Sequence, residues 1–225
     1  LGDIRVRVLE KGEVAKIWSD RDKFSLLAFS EAHGEIPIPP YVHTVPARLD
    51  QYQTIYAREI GSVAAPTAGF HFTHDLLDAM KKKGVQIEYV TLHVGIGTFR
   101  PMKTETIQAH EMHAESVHLA GDVASRINAA KREGRRVIAV GTTTVRTLEW
   151  VAESYSGKGA NGANGRKGAG DLLPPEGFQD DISLFITPGF DFQIIDAMLT
   201  NFHLPKSTLL VLVSAFAGRE RVLSA

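Results

Sequence analysis

No cysteine occurs among the 225 residues, which excludes disulfides, Cys-ligated zinc, iron–sulfur clusters and a thiol nucleophile from this stretch of chain. A radical enzyme with its own cluster is excluded with them. No charge of either sign dominates. Twenty-five Lys and Arg stand against 26 Asp and Glu, a net charge of -1, so the global basic field of a nucleic-acid coat protein is lacking and a polyanionic partner must meet a local patch. Long hydrophobic runs are lacking too: Leu209 to Val213, extended through Ala217, falls well short of the ~20 residues that cross a bilayer. No signal peptide opens the chain, so a cytoplasmic setting without a membrane partner is expected. The first residue is Leu1 rather than Met, already inside a strand-like pattern, and further segments are expected beyond one or both ends.

What is present is the composition of a globule with a real core, 44% apolar and 23% charged. Ile4, Val6 and Val8 alternate with Arg5 and Arg7, and Glu10-Lys11-Gly12 turns into Val14 to Trp18, the pattern of a half-buried antiparallel hairpin. Residues 1–36 therefore read as a β module too small to stand alone. Three prolines at positions 37, 39 and 40 stiffen the chain and mark a domain junction, with a larger domain over 37–225. There helices and strands alternate. Thr73 caps a helix ending at Gly84, and 85–94 reads as a strand. Asp122–Glu133 is a second helix, and Val137–Val140 a buried strand. Gly141-Thr-Thr-Thr144 turns into a third helix with Val145, Leu148, Val151, Ala152 and Tyr155 as its apolar stripe. Leu184–Thr187 resembles a short strand, Pro188-Gly189 a turn, and 207–217 an apolar helix with a buried strand as the alternative. The glycine-rich stretch from Ser156 to Gly170 reads as a flexible loop. The order implies a mixed α/β fold.

Several segments can carry chemistry. Gly95-Ile-Gly97 follows a strand as a dinucleotide fingerprint would, yet Pro101 and Lys103 stand where a third glycine and a helix start are needed; an unliganded glycine turn is the equal reading. The strand–Gly141-Thr142-Thr143-Thr144–helix junction is the stronger ligand site, because free N–H groups and the positive end of a helix dipole meet there; a plain Thr cap is the alternative. Arg146 and Glu149 stand three apart on that helix, either as a surface ion pair of about 0–1 kcal/mol or as lining of a site. His110-Glu-Met-His113-Ala-Glu115 packs four titratable groups together. Its histidines are too close for the His-Glu-x-x-His zinc motif, which leaves a surface helix turn, a metal site or an acid/base pair. His71, His93 and His203 each sit beside small residues or turns at element ends, which points to a shared cleft built from loops.

Seven segments in order carry a resemblance. They are Pro37-Ile-Pro-Pro-Tyr41, Tyr52-Gln-Thr-Ile-Tyr-Ala57, Gly61-Ser-Val-Ala-Ala-Pro-Thr-Ala-Gly-Phe-His-Phe72 and His93-Val-Gly-Ile-Gly-Thr-Phe99. After them come His110-x-Met-His-x-Glu115, Val140-Gly-Thr-Thr-Thr-Val-Arg-Thr-Leu-Glu149 and Leu199-Thr-Asn-Phe-His-Leu-Pro-Lys-Ser-Thr-Leu-Leu210. Together they resemble the S-adenosylmethionine:tRNA ribosyltransferase-isomerase family of queuosine biosynthesis. The resemblance implies a larger α/β barrel-like domain into which a smaller antiparallel β-barrel domain is inserted, residues 1–36 being the second half of the small barrel. It implies an enzyme that uses S-adenosylmethionine as a ribosyl donor. A proton beside the sulfonium is removed to give an ylide, adenine leaves with closure to an epoxide, and the aminomethyl group of a deazaguanine at the tRNA wobble position attacks the ribose. Epoxyqueuosine, adenine and methionine result.

Carried onto this chain, the resemblance makes His93, His113 and Glu115 candidates for the general base, and His71 or His203 the group that protonates departing adenine. Pro66, Thr67, Gly69, Gly95, Gly97, Thr98, Gly141, Thr142, Thr143, Arg146 and Asn201 become candidate substrate-binding residues, with Arg146 and the 141–144 turn receiving the methionine carboxylate. No metal or redox cofactor is implied. For tRNA the basic clusters are Lys81-Lys82-Lys83, Lys131-Arg132 with Arg135-Arg136, and Arg166-Lys167; solvated helix ends are the other reading of each. A monomer is the favoured state. The chain departs from the family at Thr187-Pro-Gly-Phe190, where Tyr-Pro-Gly-Tyr is usual, and at Thr144, where Ser is usual. A catalytically inactive tRNA- or nucleoside-binding relative and an S-adenosylmethionine-dependent methyltransferase are the competing classes.

Overall fold

The computed structural model describes residues 4–11, 16–35, 38, 42, 44, 46, 48–95, 114–156 and 170–224. The chain divides into two compact units, Leu1–Pro37 and Ile38–Ala225.

In the first unit, β1 (Val6–Glu10) pairs antiparallel with β2 (Lys16–Ser19), Val8 opposite Ile17 and Arg7 opposite Trp18. The expected hairpin forms, with the Arg7 guanidinium 5.9 Å from the Trp18 ring centroid. A β-only reading of residues 1–36 does not hold, because α1 (Lys23–His33) follows. Its start lies in Asp22, whose carboxylate accepts the N–H groups of Phe24 (2.8 Å) and Ser25 (2.9 Å). Those bonds hold the Asp22 carboxyl below its ordinary pKa.

The second unit is mixed α/β. A 3₁₀ turn over Thr67–His71 precedes α2 (His74–Lys82), whose cap is the Thr73 hydroxyl accepting from Leu76 N–H at 3.2 Å. Residues 85–94 do not form the long strand expected. Among the described residues only β3 (Thr91–His93) pairs; in the run before it Glu88 takes Arg126 in a two-pronged bond at 2.6 and 2.8 Å. β3 lies antiparallel to β4 (Glu115–Ala120), which runs directly into α3 (Gly121–Arg132). Next come β5 (Ile138–Val140) and α4 (Thr142–Tyr155). β6 (Gly177–Ile182) completes the three-stranded antiparallel sheet on the other edge of β4. β7 (Ala197–Leu199) then pairs parallel with β5, before α5 (Thr208–Ala217) and α6 (Arg219–Leu223). Ser207 caps α5, its hydroxyl accepting from Leu210 N–H at 3.2 Å, so the apolar stretch is a helix and not a strand. Among the described residues the sheets are small, of two, three and two strands, and none closes into a barrel.

The core lies where α3 and α4 pack on the strands, with Leu119, Ala124, Val145, Val151, Ile194 and Leu212 almost wholly buried. Around it runs much irregular backbone, which must still find hydrogen-bond partners. Leu184–Thr187 is part of it: Leu184 and Ile186 are buried, but no strand among the described residues pairs with them. Buried side chains of α3 and α4 supply the partners. Asn128 donates to Leu173 C=O (2.7 Å) and accepts from the N–H groups of Leu172 (3.1 Å) and Leu173 (2.9 Å). Glu149, fully buried, accepts from Gln193 on one oxygen and from Ile194 and Ile195 on the other, at 2.8–3.0 Å. Burial pushes its carboxyl above its ordinary pKa, against the pull of the three N–H groups.

This arrangement predicts a graded series. Glu149→Gln turns an NH₂ toward Gln193 N–H while keeping the other two bonds, and costs about 1–3 kcal/mol; Glu149→Ala orphans all three and costs more. Chemical denaturation of the full-length protein measures both. A raised folded-state pKa makes this residue's stabilising share full below its unfolded value near 4.5, with loss as pH rises through the folded value.

Candidate functional site

The parallel pair β5–β7 ends in two loops that lie side by side. Gly141 N–H donates to Leu199 C=O at 2.8 Å, so the start of α4 and the loop from Thr200 to Lys206 share one end of the pair. Crevices at the carboxyl ends of parallel strands are where open α/β folds take ligands. Gly141 has φ +90°, a conformation unfavourable to other residues, and no side chain caps the helix. The first-turn N–H groups of the 14-residue α4 therefore open on this end with the positive pole of its dipole. Thr142 is buried and Thr143 half-buried. The Thr144 hydroxyl turns inward onto Val140 C=O at 2.8 Å, a bond that Ser could also make.

The 3₁₀ turn reaches the same place, since a Cβ added at Gly141 would stand 3.9 Å from Ala68 Cβ. Pro66 begins this turn, its carbonyl accepting from Gly69 N–H at 2.8 Å. Gly69 is buried beneath the side chains of Thr54 and Tyr56. Asn201 ties turn to loop: its Nδ2 donates to Thr67 Oγ1 and its Oδ1 meets His71 Nε2, both at 2.9 Å. An accepting Oδ1 requires a proton on His71 Nε2. His203, three residues from Thr200, meets the Thr200 hydroxyl at 3.1 Å. Burial lowers its pKa below the ordinary value of 6.5.

His93 is approached through Gly61. Ser62 accepts Val94 N–H at 3.0 Å, and Val63 N–H donates to Val94 C=O at 2.9 Å, so 61–64 is stitched along the end of β3. Gly61, at φ +149°, lies flat on the imidazole: a Cβ there would fall 2.6 Å from His93 Nδ1. That nitrogen is buried without a partner among the described residues. Gly95 faces open space. Gly97, Thr98 and His113 lie outside the described residues.

Arg146 and Glu149 are not a surface pair. Both are buried, and they point to different partners. Arg146 Nη1 donates to Glu115 Oε2 at 2.8 Å, both side chains 5% exposed, and Nε donates to Leu184 C=O at 3.1 Å. Burial lowers the guanidinium pKa, opposed by the Glu115 charge. Arg146 Nη2 has no partner among the described residues. Glu115 opens β4 instead of lying on a surface helix turn. Since Ser116 pairs with His93, Glu115 and Arg146 connect the end of the three-stranded sheet to the first turns of α4.

The basic clusters lie elsewhere. Arg135 and Arg136 precede β5, at the end opposite Gly141. Arg135 bonds Glu133 at 2.7 Å and reaches Gln86 at 3.1 Å, bringing the ends of α2 and α3 together, with Lys81, Lys82 and Lys83 on the former. Lys81 pairs loosely with Asp78 at 3.7 Å, Lys131 with Asp196 at 2.9 Å, and Arg132 with Asp171. Arg166 and Lys167 lie outside the described residues.

Three features of the site escape a reading by residue type. Gly61 is one; it lies far before the histidine it covers in the sequence, with α2 between them. Phe202, next to Asn201, is 93% exposed. Lys206 holds φ +59°, a left-handed backbone that costs a side-chain-bearing residue about 1–2 kcal/mol.

Comparison with known proteins sets these residues in context. The family model described as queuosine biosynthesis protein matches residues 4–225. The S-adenosylmethionine:tRNA ribosyltransferase-isomerase of Carboxydothermus hydrogenoformans is 54% identical over 192 residues, which is 85% of this chain and 52% of that protein. The crystal structure of S-adenosylmethionine tRNA ribosyltransferase from Thermotoga maritima superposes with a TM-score of 0.51 at 38% identity, covering 70% of this chain and 43% of that one. The chain thus spans about half the length of the curated relative it matches.

His203 supplies a pH prediction. Its NMR titration midpoint is expected below 6.5. A depressed folded-state pKa gives a stabilising share that is present above the unfolded value and lost as pH falls through the folded one. A midpoint at or above 6.5 contradicts the burial seen here.

Proposed function

This chain belongs to the queuosine biosynthesis protein family, and from that we propose that its polypeptide is an S-adenosylmethionine:tRNA ribosyltransferase-isomerase. It transfers and isomerises the ribosyl group of S-adenosylmethionine onto the aminomethyl-deazaguanine at the wobble position of tRNA in the cytoplasm, giving epoxyqueuosine. The supporting observation is the meeting of the uncapped start of α4 with the Thr67–Asn201–His71 relay at one end of β5–β7. On this reading the second unit is the larger barrel-like domain, and the first belongs to the inserted β-barrel.

The chemistry divides among the residues as follows. His93 is the general base that takes the proton beside the sulfonium, because Glu115 is committed to Arg146. The pair Arg146–Glu115 positions the end of β4 against α4. Departing adenine takes a proton from His71 Nδ1, since Asn201 already fixes the other ring nitrogen. Burial disfavours the protonated form of His203, so its imidazolium is sparsely populated. The methionine carboxylate rests on the N–H groups of Thr142 and Thr143, with Arg146 Nη2 as the remaining cationic donor. The tRNA amine then displaces methionine from the ribose. No metal or redox cofactor enters the scheme. Lys81, Lys82, Lys83, Arg135 and Arg136 give the tRNA backbone a cationic edge away from the reacting atoms.

The test is chromatography of the products formed by the full-length enzyme from S-adenosylmethionine and tRNA bearing the aminomethyl-deazaguanine. Adenine and methionine in equal amounts, only when that tRNA is present, are expected. S-adenosylhomocysteine would mean methyl transfer, and tRNA binding without adenine would mean a protein that has lost its chemistry. His93→Gln is expected to slow adenine release by about 100-fold or more. Gly61→Ala, which pushes on the same ring, moves it in the same direction.

A further inference from the structure

The loop from Thr200 to Lys206 holds more than the function above uses. Its two ends are fixed. Asn201 is bonded to both Thr67 and His71, and the Ser207 hydroxyl donates to Leu204 C=O at 2.7 Å. Asn201 and His203 are turned toward the protein by these bonds and by the Thr200–His203 contact, and the residue between them is Phe202, 93% exposed. Four residues on, Lys206 is held in a left-handed conformation that glycine or asparagine would adopt more easily. No carboxylate pairs with it among the described residues.

Exposure this complete does not suit a pocket for a small molecule, which encloses most of its ligand's surface. An outward aromatic ring with a cation four residues on in the same loop is instead the chemistry that takes an unpaired base on the ring and a phosphate on the amine. Resting on the function given above, we propose that this loop is the single-stranded RNA contact of the enzyme. Phe202 stacks on a base flanking the modified nucleotide, and Lys206 meets a backbone phosphate. Stacking a neighbouring base outside the crevice leaves the wobble base free to enter it, beside Asn201 and His71.

The experiment uses the full-length enzyme, a fluorescein-labelled tRNA anticodon stem-loop, and anisotropy titrations over a range of KCl concentrations. Phe202→Ala is expected to weaken binding about tenfold or more; Phe202→Trp restores it and Phe202→Leu does not. Lys206→Asn, which fits the left-handed backbone, is expected to keep or raise Tm while lowering the slope of log affinity against log salt by about one phosphate contact. Wild-type affinity in the Phe202→Ala or Phe202→Leu enzyme overturns the proposal, as does an unchanged salt slope in Lys206→Asn. A fall in Tm with unaltered RNA affinity would assign Phe202 to packing against the rest of the polypeptide, and overturns it too. A wild type that binds no stem-loop overturns both this inference and the function beneath it, whereas normal wild-type binding with unaffected variants overturns this one alone.

Discussion

Buried backbone polarity is the constraint around which the second unit is organised. Short stretches between Leu172 and Ile195 are buried outside the strand pairing of the described residues, and each buried N–H and C=O there must be met. The response is economical: Asn128 from α3, with Arg146 and Glu149 from α4, each take the backbone of a different irregular segment. Such groups are costly to bury alone and stabilising only when fully bonded. The same helix that clamps 193–195 through Glu149 also presents its open first turn at the candidate site, so the aim of that turn is set from within the core.

Arg146 occupies the junction between these roles. One turn from Thr142, it faces inward to Glu115 and Leu184 and keeps one donor unspent. A buried ion pair of this kind contributes little net stability relative to apolar packing, yet losing one partner is expensive. Its effect is geometric: it locks the beginning of β4, and with it the His93–Ser116 rung, to α4. The histidine, the helix start and the Asn201 relay are thereby held by one connected frame.

Much of this was readable from residue order, and the limits are physical. Helix ends announced themselves wherever a hydroxyl cap and a glycine stop bracket an apolar stripe, as at Thr73 to Gly84 and Ser207 to Gly218. α1 is hidden from a pattern reading because its capping Asp22 follows a hairpin whose alternating pattern invites continuation. β4 enters α3 directly, with His118 on it, and β6 carries Asp180 and Asp181, poor strand formers. Leu184 and Ile186 look like a strand because burial alone selects the same residues. In the site, His71 and Asn201 were both visible as residues, but the bond between them spans 130 positions and no local pattern reports it. Glu149 misled for a related reason: a carboxylate three residues from an arginine suggests a surface pair until its three distant N–H partners are seen.

The parallel pairing of β5 with β7 also has a temporal side. The contact from Val137 N–H to Asp196 spans 59 positions, and closing so long a span costs chain entropy before any rung repays it. Neighbouring pieces such as α3 and α4 gain their turns from local contacts and form early, whereas non-local strand pairing is slow. A nascent chain emerging from the ribosome therefore carries the Thr67–His71 turn and the start of α4 well before Asn201 exists to join them. The Thr67–Asn201–His71 relay therefore waits on the synthesis of β7 and the loop after it.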